Sequence, residues 1–438
     1  MSRLAKLVAR EVLDSRGQPT VEVEASGDDG AFGRAIVPAG ASTGRHEAKE
    51  LRDADARRFG GRGVRRAVAG VGAEIAPAVL GIDLDDQAGL DARLVDLDGT
   101  PDKGRLGANA ILGVSLAVAH AAAASKGEEL YQHLHCLWRD HVGADAAGPT
   151  VPLPMINMIS GGLHAGANLD FQDFLMVPVG AADFGGALEM ASAVYRALGA
   201  ILRESGAEAA LVADEGGYGP KLRADCHAVE RILEAVVACG LEPGRDVAIA
   251  LDIASSRLFD PAAGLYRLSA TANDVFDSAG MIDLLEHWTR QFPIASIEDG
   301  LAEDDWDGWA ALTARLGGRV QLIGDDLFVT RTDRLLLGVE RKVANAVLVK
   351  VNQVGTLTET FATLALARRS GYRAIVSARS GETEDATIAD LAVAVGAGQI
   401  KIGSLARSER LAKYNRLLRI TEHLGPNPPF AGRSAIEL

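Results

Sequence analysis

The sequence predicts a parallel α/β architecture closed into a barrel, and two observations carry that expectation. Between Val247 and Arg379, short apolar runs recur and each stops on a polar side chain: VAIALD at Asp252, IASIE at Glu298, VQLIGD at Asp325, NAVLVK at Lys350 and AIVSAR at Arg379. Helix-like patterns separate these runs. Continuous Val/Ile/Leu runs of this length suit strands buried on both faces, as in parallel sheets. In a closed α/β barrel, side chains at successive strand ends converge on one mouth, where such barrels do chemistry. Three carboxylates and a lysine would then share one pocket.

Residues 1 to about 125 follow a different rhythm. Alternation in Thr20-Val21-Glu22-Val23-Glu24 and the run Gly33 to Val37 predict a small antiparallel meander, with Arg16-Gly17-Gln18-Pro19 as the turn leading into it. Helices are expected around Gly63 to Val79 and Gly107 to Ser125. Between these elements, Pro38-Ala39-Gly40-Ala41-Ser42-Thr43-Gly44 has the small residues of a loop that closes on a ligand, although an ordinary surface turn has the same composition. Residues 126–150, rich in His, Ala and Gly, read as a connection, and residues 151–438 as the barrel.

The barrel region opens with two apolar runs, Val151 to Ile159 and Phe171 to Val179, closely spaced around Ser160-Gly161-Gly162-Leu163-His164-Ala165-Gly166. That spacing argues for an antiparallel pair, with His164 on the segment between. Composition alone favours a solvated loop histidine. Helices from Phe184 to Glu204 and Asp225 to Cys239 flank Asp214-Glu215-Gly216-Gly217, a carboxylate pair against glycines that also reads as a surface turn. A late strand, Gly398 to Gly403, presents Lys401.

Composition narrows the function. A chain of 438 residues with 48% hydrophobic content buries a large core, in two domains by length. The balance of 59 acidic against 45 basic residues, formal charge -14, opposes general attraction to nucleic acid or anionic membrane. Local cations must therefore hold any anionic ligand. Cys136, Cys226 and Cys239 lack CxxC spacing, so neither a disulfide framework nor a zinc knuckle is indicated and a reducing cytoplasm is expected. The N-terminal MSRLAKLVAREVLDSRG has no apolar core of a secretory signal, and the apolar run Ala110 to Ala124 reads as a buried helix.

Asp252, Glu298 and Asp325 offer only oxygen donors, the set that a hard divalent cation such as Mg²⁺ selects. Each taken singly could instead cap a helix or pair with a surface base. A lysine near metal ions and a second cation loses proton affinity, so Lys350 is a candidate base, with Lys401 as that second cation. Arg379 with Ser380 suits a phosphate.

The stretches EVLDSRGQPTVEVE, VPAGASTGRHEAKELRD, LGANAILGVSLAVA, DEGGYGP, SIEDG, GDDLFVT, KVNQVGTLTET, RSGETEDATIADLAVA and RSERLAKYN resemble the enolase (phosphopyruvate hydratase) family, in the same order from near the first residue to about Leu424. The resemblance implies an N-terminal α+β capping domain and an irregular (β/α)8 barrel whose second strand runs antiparallel. It also implies a homodimer, two Mg²⁺ ions and the glycolytic dehydration of 2-phosphoglycerate to phosphoenolpyruvate; a Lys or His base working beside Mg²⁺ is the established pattern of enolase-superfamily sites. By the same resemblance, Asp252, Glu298 and Asp325 hold one ion and Ser42 the other. Lys350 takes the C2 proton, Glu215 assists departure of the C3 hydroxyl, Lys401 binds the carboxylate, and Arg379 with Ser380 binds the phosphate. His164 swings in on its loop, and Gln172 lines the pocket.

Four positions depart from the family pattern: Asp173 stands where enolases have Glu, Ala378 where they have His, Ser160 where they have Asn, and Ala39 where they have Ser. By the resemblance, Asp173 and Ala378 face the substrate. Their shortening puts hydroxyl departure and substrate fit in question and leaves proton abstraction intact. Three functions remain open: an ordinary enolase, a paralogous lyase for a bulkier phospho- or phosphono-analogue such as a precursor of carboxyphosphonoenolpyruvate, and a non-catalytic binding protein on this fold.

Overall fold

The computed structural model describes residues 2–41, 43–143, 146–271 and 273–437. Strands β1 (Leu4–Leu13), β2 (Pro19–Gly27) and β3 (Phe32–Ile36) form the antiparallel meander expected from the alternation. On β2 the period of two separates fully buried Val21, Val23 and Ala25 from Glu22 and Glu24, which pair with Arg10. The helix Ala108–Lys126 lies on the buried face. A Cβ on Gly33 would sit 2.1 Å from the Ala117 carbonyl oxygen, and one on Gly113 2.6 Å from Val23 Cγ2, so glycine at both places sets the close approach. This helix is long and apolar enough to cross a membrane, but 83% of its apolar window is buried inside the protein.

The helix expected over Gly63 to Val79 runs from Arg65 to Val79 with a π turn at Val71–Ile75. Pro77 has no N–H to give to the preceding turn, a known cause of such irregularity. Within residues 126–150, Leu130–Val142 is a helix, opened by a capping box between Glu129 and Gln132. It packs on the helix Thr387–Val395, and the Tyr131 N–H donates to Asp390 Oδ1 at 3.0 Å.

Eight strands close the barrel: β4 (Leu153–Ser160), β5 (Asp173–Val177), β6 (Ala248–Asp252), β10 (Ile294–Glu298), β11 (Gln321–Gly324), β12 (Ala346–Val349), β13 (Arg373–Ser377) and β14 (Gly398–Lys401), with β14 returning to β4. Between β6 and β10 the chain makes a separate small sheet of β7 (Phe259–Asp260), β8 (Leu265–Leu268) and β9 (Asp274–Phe276). All barrel pairs are parallel except those of β5, which runs antiparallel to both β4 and β6. The link between β4 and β5 carries only the 3₁₀ turn Gly162–Ala165 and no crossover helix of the kind that usually joins a parallel pair.

Two apolar layers explain the continuous runs. Leu153, Leu175, Ala250, Ile323, Leu348 and Ile375 pack inside the barrel, whereas Ile249, Ile297, Leu322, Val347 and Val376 point at the surrounding helices. Each strand is buried on both sides, and its chemistry is confined to the ends.

Candidate active site at the barrel mouth

The parallel strands bring Asp252, Glu298 and Lys401 to one end as their last residues. Asp325 and Lys350 follow β11 and β12 by one residue, and Arg379 follows β13 by two. Asp173 reaches the same mouth from the opposite direction: it is the first residue of β5, which runs backwards, and it stands in register with Asp252.

Lys401 Nζ donates to Asp252 Oδ2 at 2.7 Å and to both Glu298 oxygens at 2.8 and 2.9 Å. All three side chains are buried. Burial and then the Asp252 charge push Glu298 well above the usual carboxylate range, against the pull of Lys401. Burial alone would lower Lys401, yet Asp252 and Glu298 hold it well above the ordinary lysine value. Gln172 Nε2 donates to the shared Asp252 Oδ2 at 3.3 Å.

Lys350 Nζ donates to Asp325 Oδ2 in a short ion pair, and Gln353 Nε2 donates to Asp325 Oδ1 at 3.0 Å. The sequence alone suggests a neutral Lys350. Burial does favour that form, but the Asp325 charge outweighs burial and the repulsion from Arg379, so here Lys350 is held protonated. Asp325 correspondingly lies below its ordinary value despite its burial. A neutral amine requires that Asp325 first find another cation. The Lys350 backbone N–H is fixed by Thr330 Oγ1 at 2.9 Å, and that hydroxyl donates to Gln353 Oε1 at 2.6 Å. Thr330 and its neighbour Val329 both have positive φ, 57° and 42°, a strain of about 1–3 kcal/mol each for β-branched residues.

The third group surrounds Asp173, which is fully buried. Its Oδ1 accepts Ser160 Oγ at 2.8 Å and Asn157 Nδ2 in a shorter bond, and its Oδ2 meets His164 Nδ1 at 2.8 Å. Burial raises Asp173 and by itself would lower His164, but the charges of Asp173 and Glu215 lift His164 to about 9. One proton is shared across this contact. Three donors to Asp173 favour its carboxylate, so the proton belongs to the imidazole. Ligand atoms of His164, Asp173 and Glu215 lie within 4.8 Å of one another. Burial raises Glu215, but His164, Arg410 and Lys401 together hold it below its usual value. Gly216, at φ 86°, places Glu215: a Cβ there would meet the Ala406 carbonyl oxygen at 2.5 Å.

Arg379 is buried and donates to Glu47 Oε2 at 3.0 Å and Asn352 Oδ1 at 2.8 Å. Ser380 Oγ accepts the Ala41 N–H at 2.6 Å, and Ala39 and Gly381 exchange backbone hydrogen bonds at 2.9 Å, so the backbone at Ala39 and Ala41 lies against the mouth. Ser42 itself lies outside the described residues. Ala378 is buried beside Arg379 with only a methyl group to offer. Ala39, another of the four departures, lends only its backbone.

Several polar residues at this mouth were not singled out from the sequence. Glu47 reaches Arg379 across 332 positions, a pairing with no local signal. Asn352 and Gln353 stand in the quoted KVNQV stretch directly after Lys350, and polar residues at a strand end were the available clue. Asp299, at φ 44°, accepts the backbone N–H groups of Asp325 and Asp326 at 2.9 Å each. Its ligand atoms and those of Asp325 and Asp326 also cluster within 4.8 Å. Burial and then Asp325 lift Asp326 to about 7.

A closed α/β barrel with buried carboxylates and two lysines at its mouth defines an acid–base enzyme class. The family model for the enolase N-terminal domain matches residues 4–134, and that for the enolase C-terminal TIM barrel domain matches residues 149–438. The chain belongs to the enolase family, and its barrel is that of an enolase-superfamily lyase.

Proposed function

We propose that this protein is an Mg²⁺-dependent hydro-lyase that removes the C2 proton and the C3 hydroxyl of 2-phosphoglycerate to give phosphoenolpyruvate. The observation that carries this reading is the pairing of cations with carboxylates: Lys401 spans Asp252 and Glu298 while Lys350 holds Asp325. Buried carboxylates that repel one another, with Glu298 pushed up by Asp252, fit a hard divalent cation in an all-oxygen site. Asp252, Glu298 and Asp325 would hold it, with Ser42 assigned to a second ion by family resemblance. Such cations supply positive charge beside the substrate carboxylate, which makes the adjacent C–H acidic.

The chain's own groups account for the proton movements. Lys350, once Asp325 is engaged elsewhere, is an amine that accepts the C2 proton. The electron pair of that C–H bond becomes the C2–C3 double bond as the C3–O bond breaks. The departing hydroxyl needs a proton; Glu215, to which the family resemblance gives that task, is held below its usual carboxylate value and so carries none at neutral pH, whereas His164 beside it does. Lys401 and Arg379 are the cations for carboxylate and phosphate. A homodimer in the cytoplasm completes the proposal.

Ala378 and Asp173 favour a second reading, a lyase for a bulkier phospho- or phosphono-analogue. Ala378 offers only a methyl group beside Arg379, and both Asp173 oxygens are already engaged in bonds with Asn157, Ser160 and His164. The purified protein with Mg²⁺ and 2-phosphoglycerate in deuterated water separates the readings. C2 exchange together with net dehydration is expected. Exchange without dehydration supports the analogue, and Mg²⁺ binding with neither process would establish a binding protein.

A further inference from the structure

A cavity of about 360 Å³ lies between the β4–β5 link and the excursion after β6, lined by Gly162, Ala167, Asp170, Arg257, Asp260 and Arg267. The two loops are tied together, because Asp170 accepts the N–H groups of Ala270 and Thr271 at 2.8 and 3.0 Å and the Thr271 hydroxyl at 2.7 Å. Arg257 enters from the 3₁₀ turn Ser255–Arg257, five residues after Asp252. A Cβ built on Gly162 would lie 3.0 Å from Arg257 Nη1, so the guanidinium rests against the segment that carries His164 two residues further on.

Charges in this cavity are unequally satisfied. Asp170 is consumed by the three donors just named. Asp260 accepts the Ala262 and Ala263 N–H groups at 3.1 and 3.3 Å and Arg267 at 3.5 Å. The Arg257 guanidinium has no hydrogen bond or ion pair with any of the described residues, the backbone N–H alone being engaged, by the Ala254 carbonyl at 3.1 Å; the side chain is exposed to the cavity, and the protein packed around it still presses against its charge. A planar donor open to a cavity and without an acceptor is a ready partner for an oxyanion.

We infer that this cavity is an anion subsite in which Arg257 binds a carboxylate or phosphoryl oxygen. The anion is either a second charged group of the substrate or a free small anion held beside the mouth. The first source deepens the proposed function, and rests on it, by assigning the extra negative charge of a bulkier substrate to Arg257.

The test uses the full chain with Mg²⁺ and calorimetric titration of methylphosphonate, phosphonoformate and inorganic phosphate, in the natural protein and in Arg257→Gln and Arg257→Lys. Because the Arg257 guanidinium holds no partner among the described residues, unchanged melting temperatures are expected. If the anion belongs to the substrate, phosphonoformate binds about tenfold more tightly than methylphosphonate, and Arg257→Gln erases that preference while Arg257→Lys keeps part of it. If the anion is free, inorganic phosphate still binds when 2-phosphoglycerate saturates the mouth, and Arg257→Gln abolishes that second event. Equal affinities of the natural protein and Arg257→Gln for all three probes overturn the subsite. C2 proton exchange of 2-phosphoglycerate is read separately, so loss of the proposed reaction is distinguishable from loss of the subsite.

Discussion

The Asp299 carboxylate accepts the backbone N–H of Asp325 at 2.9 Å, and with its other oxygen that of Asp326 at the same distance. The residue that follows β10 thereby sets the turn after β11, from which Asp325 reaches Lys350 and Gln353. Asp299 holds this position at φ 44°, an unfavourable backbone conformation that the two hydrogen bonds offset. Asp299→Ala removes both acceptors and strands two N–H groups, at about 1–3 kcal/mol each. The expected result is lower stability in urea and Mg²⁺ affinity weaker by about tenfold, as is usual when a carboxylate that orients a ligand is lost. Calorimetric Mg²⁺ titration checks this, and undiminished affinity in a folded variant would refute the positioning role.

How much of this was legible in the chain depends on range. The strand ends were readable because two-sided burial leaves polar residues no place except the termini, which is how Asp252, Glu298, Asp325, Lys350 and Lys401 stood out. The backward course of β5 followed from the short spacing of two apolar runs. Partners set by closure of the barrel were not readable, since Glu47 meets Arg379 only after distant elements adjoin; the bonds of Asp173 to Asn157, Ser160 and His164 lie within the β4–β5 pair and its link and needed only its register, which the spacing of the runs did not give. The protonation of Lys350 also escaped the sequence, because it depends on which carboxylate is nearest and not on how many cations are nearby.

The His164–Asp173 contact makes a prediction about pH. His164, raised to about 9 against burial by Asp173 and Glu215, is a cation at neutral pH. A raised histidine contributes stability that is complete below its unfolded value near 6.5 and is lost as pH climbs through about 9. In Asp173→Asn the burial effect should prevail, and His164 should be neutral at pH ~7.5. Nitrogen-15 NMR of the imidazole reads the protonation state directly. The melting temperature gap between the natural protein and the variant should narrow between pH ~6.5 and pH ~9.5. Dehydration should fall about a hundredfold while C2 exchange persists. An unshifted His164 titration would remove Asp173 from this role.

Asp91 supplies a test of how the two domains are joined. It sits in the helix Gln87–Asp98, and its Oδ2 accepts the N–H and hydroxyl of Thr358 at 2.9 and 2.6 Å, at the start of the helix Leu357–Arg369. Gln87 Nε2 donates to Asp91 Oδ1 at 3.0 Å. Burial dominates over these donors and pushes Asp91 up to about 6. Because the folded value exceeds the unfolded one, the native state binds the extra proton, and stability falls as pH rises from about 4 to about 6. A shift of this size is worth at most about 3 kcal/mol. Asp91→Asn removes the charge and keeps an acceptor for Thr358. Gln87 Oε1, which has no partner among the described residues, offers the new amide an acceptor. The variant should match the natural protein near pH ~4 and exceed it by about 1–3 kcal/mol at pH ~7.5 in urea denaturation. A stability difference that does not change with pH would mean that Asp91 is ionised in the folded protein at no cost.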